Sequence, residues 1–287
     1  MSRRIVVWLL GLLLLGCFSL DNFLFEPTRV SDAYLKPADM DTAWHVRFII
    51  PDSLIEPAAL TSQGKGIYGF FVRPDGAHPD QNSVTVLYSH GNYGNINRYW
   101  GRVELLWEMG YQVFIYDYQG YGMSAGTPSG AACYADAETA LSYCRHRADV
   151  DSTKLVYYGW SLGSFMTCHL AADIRPPAAL ILETPIASTS ALTSEGTVLD
   201  VPGSFVANAD FDNEKRIGNV GAPLLLLHGK KDETANFERN ALRLYEKSNK
   251  ANTEYVWLDE AGHENIPETM GSEYAAVVTD FIARSIP

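Results

Sequence analysis

Cysteine is scarce in this chain, and positive charge is scarcer than negative. Four cysteines in 287 residues are too few for the disulfide lattice that staples small secreted folds. Cys133 and Cys144 fall on one predicted helix, eleven positions apart and out of bonding reach, and with Cys168 they read as small apolar core residues. Lys and Arg number 22 against 34 Asp and Glu, a formal net charge of −12, which opposes a nucleic-acid partner and electrostatic adhesion to anionic lipid. There is no internal repeat or low-complexity tract, no spacing that suggests a metal site, and nothing that calls for a cofactor. Long apolar runs are missing too, since the longest spans residues 5–15 and a membrane-crossing helix needs about 20 residues.

What is present at the N-terminus is a leader. Arg3 and Arg4 precede the apolar run, which closes in Leu14-Leu15-Gly16-Cys17. A charged start and a short apolar core are the form of a secretory signal, and the last four residues resemble the lipobox of bacterial lipoprotein precursors. That resemblance implies cleavage before Cys17 and lipidation of its thiol, hence a membrane tether at the N-terminus and a place in the cell envelope, with each buried CH₂ contributing about 0.8 kcal/mol. The competing reading is an uncleaved anchor continuing to residue 25, which Asp21 and Asn22 interrupt. Residues 1–20 are therefore signal or anchor, 21–64 a tether and N-terminal edge hairpin, and 65–287 the catalytic domain.

Beyond residue 65, short apolar β-prone runs alternate with helical periodicity. Strands are predicted at 67–73, 83–88, 113–116, 155–158, 179–182, 223–227 and 255–258, and helices at 96–109, 129–147, 236–248 and 273–284. Such alternation means an α/β fold, with a mostly parallel central sheet and helices on both faces. The connection 186–219 has no strand signal and is short and polar, so at most one or two small helices and a minimal cap are expected there.

The chain is organised around Gly159-Trp160-Ser161-Leu162-Gly163, between a strand-like run and a helix-like one. G-x-S-x-G in that setting is a nucleophile elbow: the turn forces the serine toward φ > 0, and small neighbours let strand and helix close around it. A second copy of the pattern, Gly122-Met123-Ser124-Ala125-Gly126, runs straight into Thr127-Pro128-Ser129-Gly130, which breaks any helix before it starts. Ser161 is thus the candidate nucleophile and Ser124 the decoy.

A serine hydroxyl needs a base to take its proton and an acid to orient that base. After an elbow serine the acid and then the histidine follow in the chain. His263 is the histidine that lies beyond a plausible acid loop, and Gly262 frees its loop to swing. Asp232, after the strand 223–227, is the acid; Asp259 is the alternative, Glu233 is adjacent, and His228 packs locally. The oxyanion donors are the backbone N–H of Leu162 and, from His90-Gly91-Asn92-Tyr93, that of Asn92 with Tyr93 as fallback. Tyr93 and Trp160 are the candidate substrate contacts.

Ser-His-Gly-Asn at 89–92, Asp-Tyr-Gln-Gly-Tyr-Gly-Met-Ser at 117–124, the elbow, His-Gly-Lys-Lys-Asp at 228–232 and Gly-His at 262–263 together resemble the α/β-hydrolase superfamily, over about residues 65–285. They look most like its cap-poor serine hydrolases, which include eukaryotic depalmitoylating thioesterases and many bacterial lipoproteins. The resemblance implies that the 117–124 loop is structural and that Ser161 carries out acyl transfer on an ester or thioester of a small or lipid-like acyl group. A peptidase on the same triad, with Glu183 or Glu195 receiving a peptide amine, and a non-catalytic envelope binding protein are the rivals. The sequence is silent on oligomeric state.

Overall fold

The alternating runs gather into one sheet. The computed structural model describes residues 24–31, 33–35, 46–193 and 211–286; the leader, Cys17 and residues 194–210 of the connection lie outside them. Eight strands pair among the described residues: β1 Ile55–Ser62, β2 Lys65–Val72, β3 Thr85–Ser89, β4 Gln112–Tyr116, β5 Leu155–Trp160, β6 Ala179–Glu183, β7 Leu224–Gly229 and β8 Thr253–Leu258. Their order across the sheet is β8-β7-β6-β5-β3-β4-β2-β1, parallel from β4 to β8, with β2 antiparallel to β4 and to β1.

The sheet begins at Ile55, ahead of the boundary expected at residue 65. β1 forms the expected edge hairpin with β2 through Gln63 and Gly64, both at positive φ (49° and 74°), the backbone of a two-residue turn that follows the strand twist. Its sequence Ile-Glu-Pro-Ala-Ala-Leu-Thr-Ser is a poor strand signal, and Pro57 is tolerated because β1 is an edge.

Strands β3 to β7 are buried on both faces, so successive residues feed two cores. Leu87, Phe114, Tyr157, Leu180 and Leu226 face one side, against α2 (Gly130–His146) and α3 (Gly163–His169). Val86, Val113, Val156, Ile181 and Leu225 face the other, against α1 (Ile96–Glu108) and the C-terminal helix Ser272–Ser285. Each such fully buried side chain contributes about 1.5–3 kcal/mol. The predicted helix 236–248 is a wide turn, Glu238–Leu242, running into the short helix Arg243–Lys247. The connection carries one short helix, Thr189–Thr193, and a 3-10 turn, Ile217–Asn219.

The part of the tether that is described docks onto the domain. Glu26–Pro27 pairs in parallel with Tyr93–Gly94, and the Arg29 guanidinium bonds the carbonyls of Ser124 and Gly126. Phe25 is buried against Phe211, ring centroids 6.1 Å apart. No helix among the described residues is long and apolar enough to cross a membrane.

Candidate active site

From β3 the chain leaves to β4 on one side and returns to β5 on the other, so the loops after β3 and β5 open a crevice at the carboxyl edge of the sheet. Ser89 pairs with Gly159 at the last rung. Ser161 follows at φ 52°, the strained left-handed backbone of an elbow, and its N–H donates to the Glu183 carbonyl at 3.0 Å. The glycines provide space. A Cβ on Gly159 would sit 2.3 Å from Thr167 Oγ1, and one on Gly163 would sit 1.9 Å from the Ser89 carbonyl oxygen.

The three candidate residues meet although they lie far apart in the chain. His263 Nε2 is 2.8 Å from Ser161 Oγ, and its Nδ1 is 2.7 Å from Asp232 Oδ2. A carboxylate on Nδ1 holds the proton there, leaving Nε2 to accept from the serine hydroxyl. Asp232 is itself fixed, since its Oδ1 accepts from the N–H groups of Thr234 (2.9 Å) and Ala235 (2.7 Å). Burial works to raise its pKa, but the His263 hydrogen bond, the charges of His263 and His228 and the Ala235 N–H outweigh it and hold the carboxyl below its ordinary value. His228 packs locally as expected: its buried Nε2 donates to the Ala235 carbonyl at 2.8 Å, and burial pulls its pKa down to about 4. A Cβ at Gly229 would meet the Ala261 carbonyl at 2.1 Å, so the acid turn packs directly on the histidine loop. The alternative acid Asp259 is exposed and paired with Lys230 at 2.7 Å, and Glu233 is exposed.

Leu162 is buried at the start of α3, and the Asn92 carbonyl is held by the Glu26 N–H (3.0 Å) and the Tyr121 hydroxyl (2.7 Å). Neither the Leu162 nor the Asn92 N–H has an acceptor among the described residues. Next to them His90 is buried, with Nε2 3.0 Å from Asp117 Oδ1 and its ring stacked on Tyr99. Asp117 also accepts from the Ile96 N–H and the Tyr34 hydroxyl, tying β4 to the start of α1 and to the docked tether. Of the two candidate substrate contacts, Tyr93 is 47% exposed on the rim with Arg98 over its ring. Trp160 is 4% exposed, packed against Tyr99 and the His263 ring, where it backs the histidine.

Residues 80–214 match the family model described as serine aminopeptidase, S33. An uncharacterised protein of Escherichia coli strain K12, YfhR, is 30% identical over 228 residues, covering 78% of each chain. The chain therefore belongs to the α/β-hydrolase superfamily and is a hydrolase of that fold. The alpha/beta hydrolase domain-containing protein 17C of Xenopus tropicalis is 32% identical over 204 residues, covering 71% of this chain and 63% of that one. Among solved structures, the esterase Pf2001 of Pyrococcus furiosus superposes with a TM-score of 0.69 at 17% identity, covering 92% of this chain and 98% of that one, a likeness of fold.

The sequence reading passed over two contributors. One is the docked segment around Glu26, whose N–H steadies the candidate oxyanion loop. The other is a buried ion pair, Arg102 with Glu183, at 3.0 Å. Its signal lay in the chain as one charge closing the apolar run 179–182 and another on the apolar face of the helix at 96–109.

Proposed function

We propose that the chain is a serine hydrolase of carboxylic ester or thioester bonds, with Ser161 as nucleophile, His263 as base and then acid, and Asp232 as its orienting carboxylate. The observation that carries the reading is the unbroken relay from Ser161 Oγ through the His263 ring to Asp232, at 2.8 and 2.7 Å. His263 Nε2 takes the hydroxyl proton as Oγ attacks the acyl carbon, and the N–H groups of Leu162 and Asn92 receive the oxyanion. His263 then returns the proton to the leaving alcohol or thiol, and water, deprotonated by the same nitrogen, releases the acid and restores Ser161. Tyr93 meets the substrate at the rim. The substrate is a small or lipid-like acyl compound, in keeping with a Cys17 tether in the cell envelope, for which the mass of the mature N-terminus is the test.

The family description raises an amide reading, and a binding protein has no use for an intact relay. An aminopeptidase needs a free acidic group for the substrate amine. Glu183 is fully buried and held by Arg102, which favours the ester reading, and Glu195 lies outside the described residues. Hydrolysis of matched acyl esters, thioesters and aminopeptide amides is the test. Ester or thioester turnover at least about tenfold above amide turnover, lost in Ser161→Ala, is expected; amide turnover equal to or above ester turnover overturns the assignment.

A further inference from the structure

Behind the proposed triad lies a buried cluster in which Glu183 and Arg102 occupy the centre. Glu183 ends β6, and its main chain and side chain do separate things. Its carbonyl accepts the Ser161 N–H at 3.0 Å. Its carboxyl, fully buried, takes Arg102 Nη2 on Oε1 at 3.0 Å and the hydroxyls of Tyr158 and Tyr274 on Oε2. The same Arg102 Nη2 donates to the carbonyl of Glu264 at 2.7 Å, and Nη1 lies 3.5 Å from Glu268 Oε1. Glu264 is the residue after His263. One ion pair thus grips the serine turn at one end and the histidine loop at the other, while α1 and the C-terminal helix supply its side walls.

We propose that the Arg102–Glu183 pair is a positioning device that holds the Ser161 turn and the His263 loop in mutual register, so that proton transfer between them depends on it. The proposal rests on the triad reading above. A buried ion pair is a poor source of stability, because desolvating both charges offsets most of their attraction and an apolar pair of similar volume serves as well or better. What an apolar pair cannot do is hold a backbone carbonyl in the histidine loop. The planar guanidinium has the right shape for the task, offering parallel donors that reach Glu183 and Glu264 at once. A shift of about 1 Å between reacting groups costs on the order of 100-fold in rate, and this fork is placed to prevent one.

The test is the labelling of the full-length protein by a fluorophosphonate, read as two quantities: the second-order rate constant and the final fraction labelled. Arg102→Lys keeps the charge but not the fork. Its rate constant is expected to fall about 10- to 100-fold with complete final labelling, and its KM for a short-chain ester to stay within about twofold of wild type. Tyr274→Phe leaves every charge in place and reads the same cluster should the lysine variant not fold; a several-fold lower rate constant at full labelling is expected. A purely structural role predicts the reverse, incomplete labelling with a wild-type rate constant in the reactive fraction, and overturns the proposal. Wild-type rate constants and full labelling in both variants also overturn it, leaving the triad reading intact. A wild-type protein that takes no label overturns both.

Discussion

Two segments of this chain spell G-x-S-x-G, and they divide the labour of that pattern in opposite ways. At Gly159–Gly163 the serine takes the left-handed backbone, φ 52°, and the glycines supply space. At 122–126 the glycines take it, φ 48° and 88°, and Ser124 is no φ outlier. Ser161 Oγ meets a histidine, whereas Ser124 Oγ donates to the Asp117 carbonyl at 2.9 Å and accepts the Tyr68 N–H at 3.0 Å. Both serines are buried, at 3% and 0% exposure, so accessibility does not separate them. Reactivity follows the partner: a titratable ring can take a proton, and a backbone carbonyl already bonded in a turn cannot.

The largest difference between the two should appear on removal of each hydroxyl. Ser161→Ala should lower kcat by about 10³-fold or more with little change in unfolding midpoint, while Ser124→Ala should retain most activity; steady-state kinetics on an accepted ester checks both. Asp232→Asn, which spoils the tautomer of His263 but leaves its packing, should lower kcat about 10²- to 10⁴-fold, and the same assay with circular dichroism to verify folding measures it. On stability the ranking reverses. Ser124→Ala should cost about 1–3 kcal/mol in urea unfolding, because the Tyr68 N–H loses its buried acceptor, more than Ser161→Ala costs.

The smallest effect is one of pH. The partners of Ser161 titrate, and those of Ser124 do not. Folded His228 stays neutral down to about pH 4, while in the unfolded chain it takes up a proton near pH 6.5. The unfolded state therefore binds more protons between those values, so stability is complete above about 6.5 and falls as pH drops toward 4, by on the order of 2–3 kcal/mol. Asp232, whose carboxyl is held low, adds a further loss at more acid pH. Urea unfolding of His228→Asn across this range should have a flatter slope than wild type.

The residues of the candidate site were legible in the chain because each sits beside a local signal: Ser161 between glycines that cannot bear a Cβ, Asp232 just after a buried strand, His263 after the last one. Strands β3 to β7 were legible for a related reason, since burial on both faces leaves unbroken apolar runs. β1 was not seen as a full strand, because Pro57 and two alanines at an edge mute the β signal. The helix expected at 236–248 was right in place and wrong in regularity, its first turn being widened. Trp160 looked like a substrate contact because it adjoins the nucleophile, yet as the last residue of a buried strand it packs inward. The Arg102–Glu183 pair joins residues 81 positions apart, and no local pattern encodes such a contact.

The central claim is that Ser161, and not its twin in sequence, is the activated nucleophile. Treating the protein with a fluorophosphonate and locating the adduct by peptide mass spectrometry tests it most directly. The account predicts one adduct per chain, on the peptide that contains Ser161, absent from Ser161→Ala and unchanged in Ser124→Ala; an adduct on Ser124, or one that survives Ser161→Ala, contradicts it.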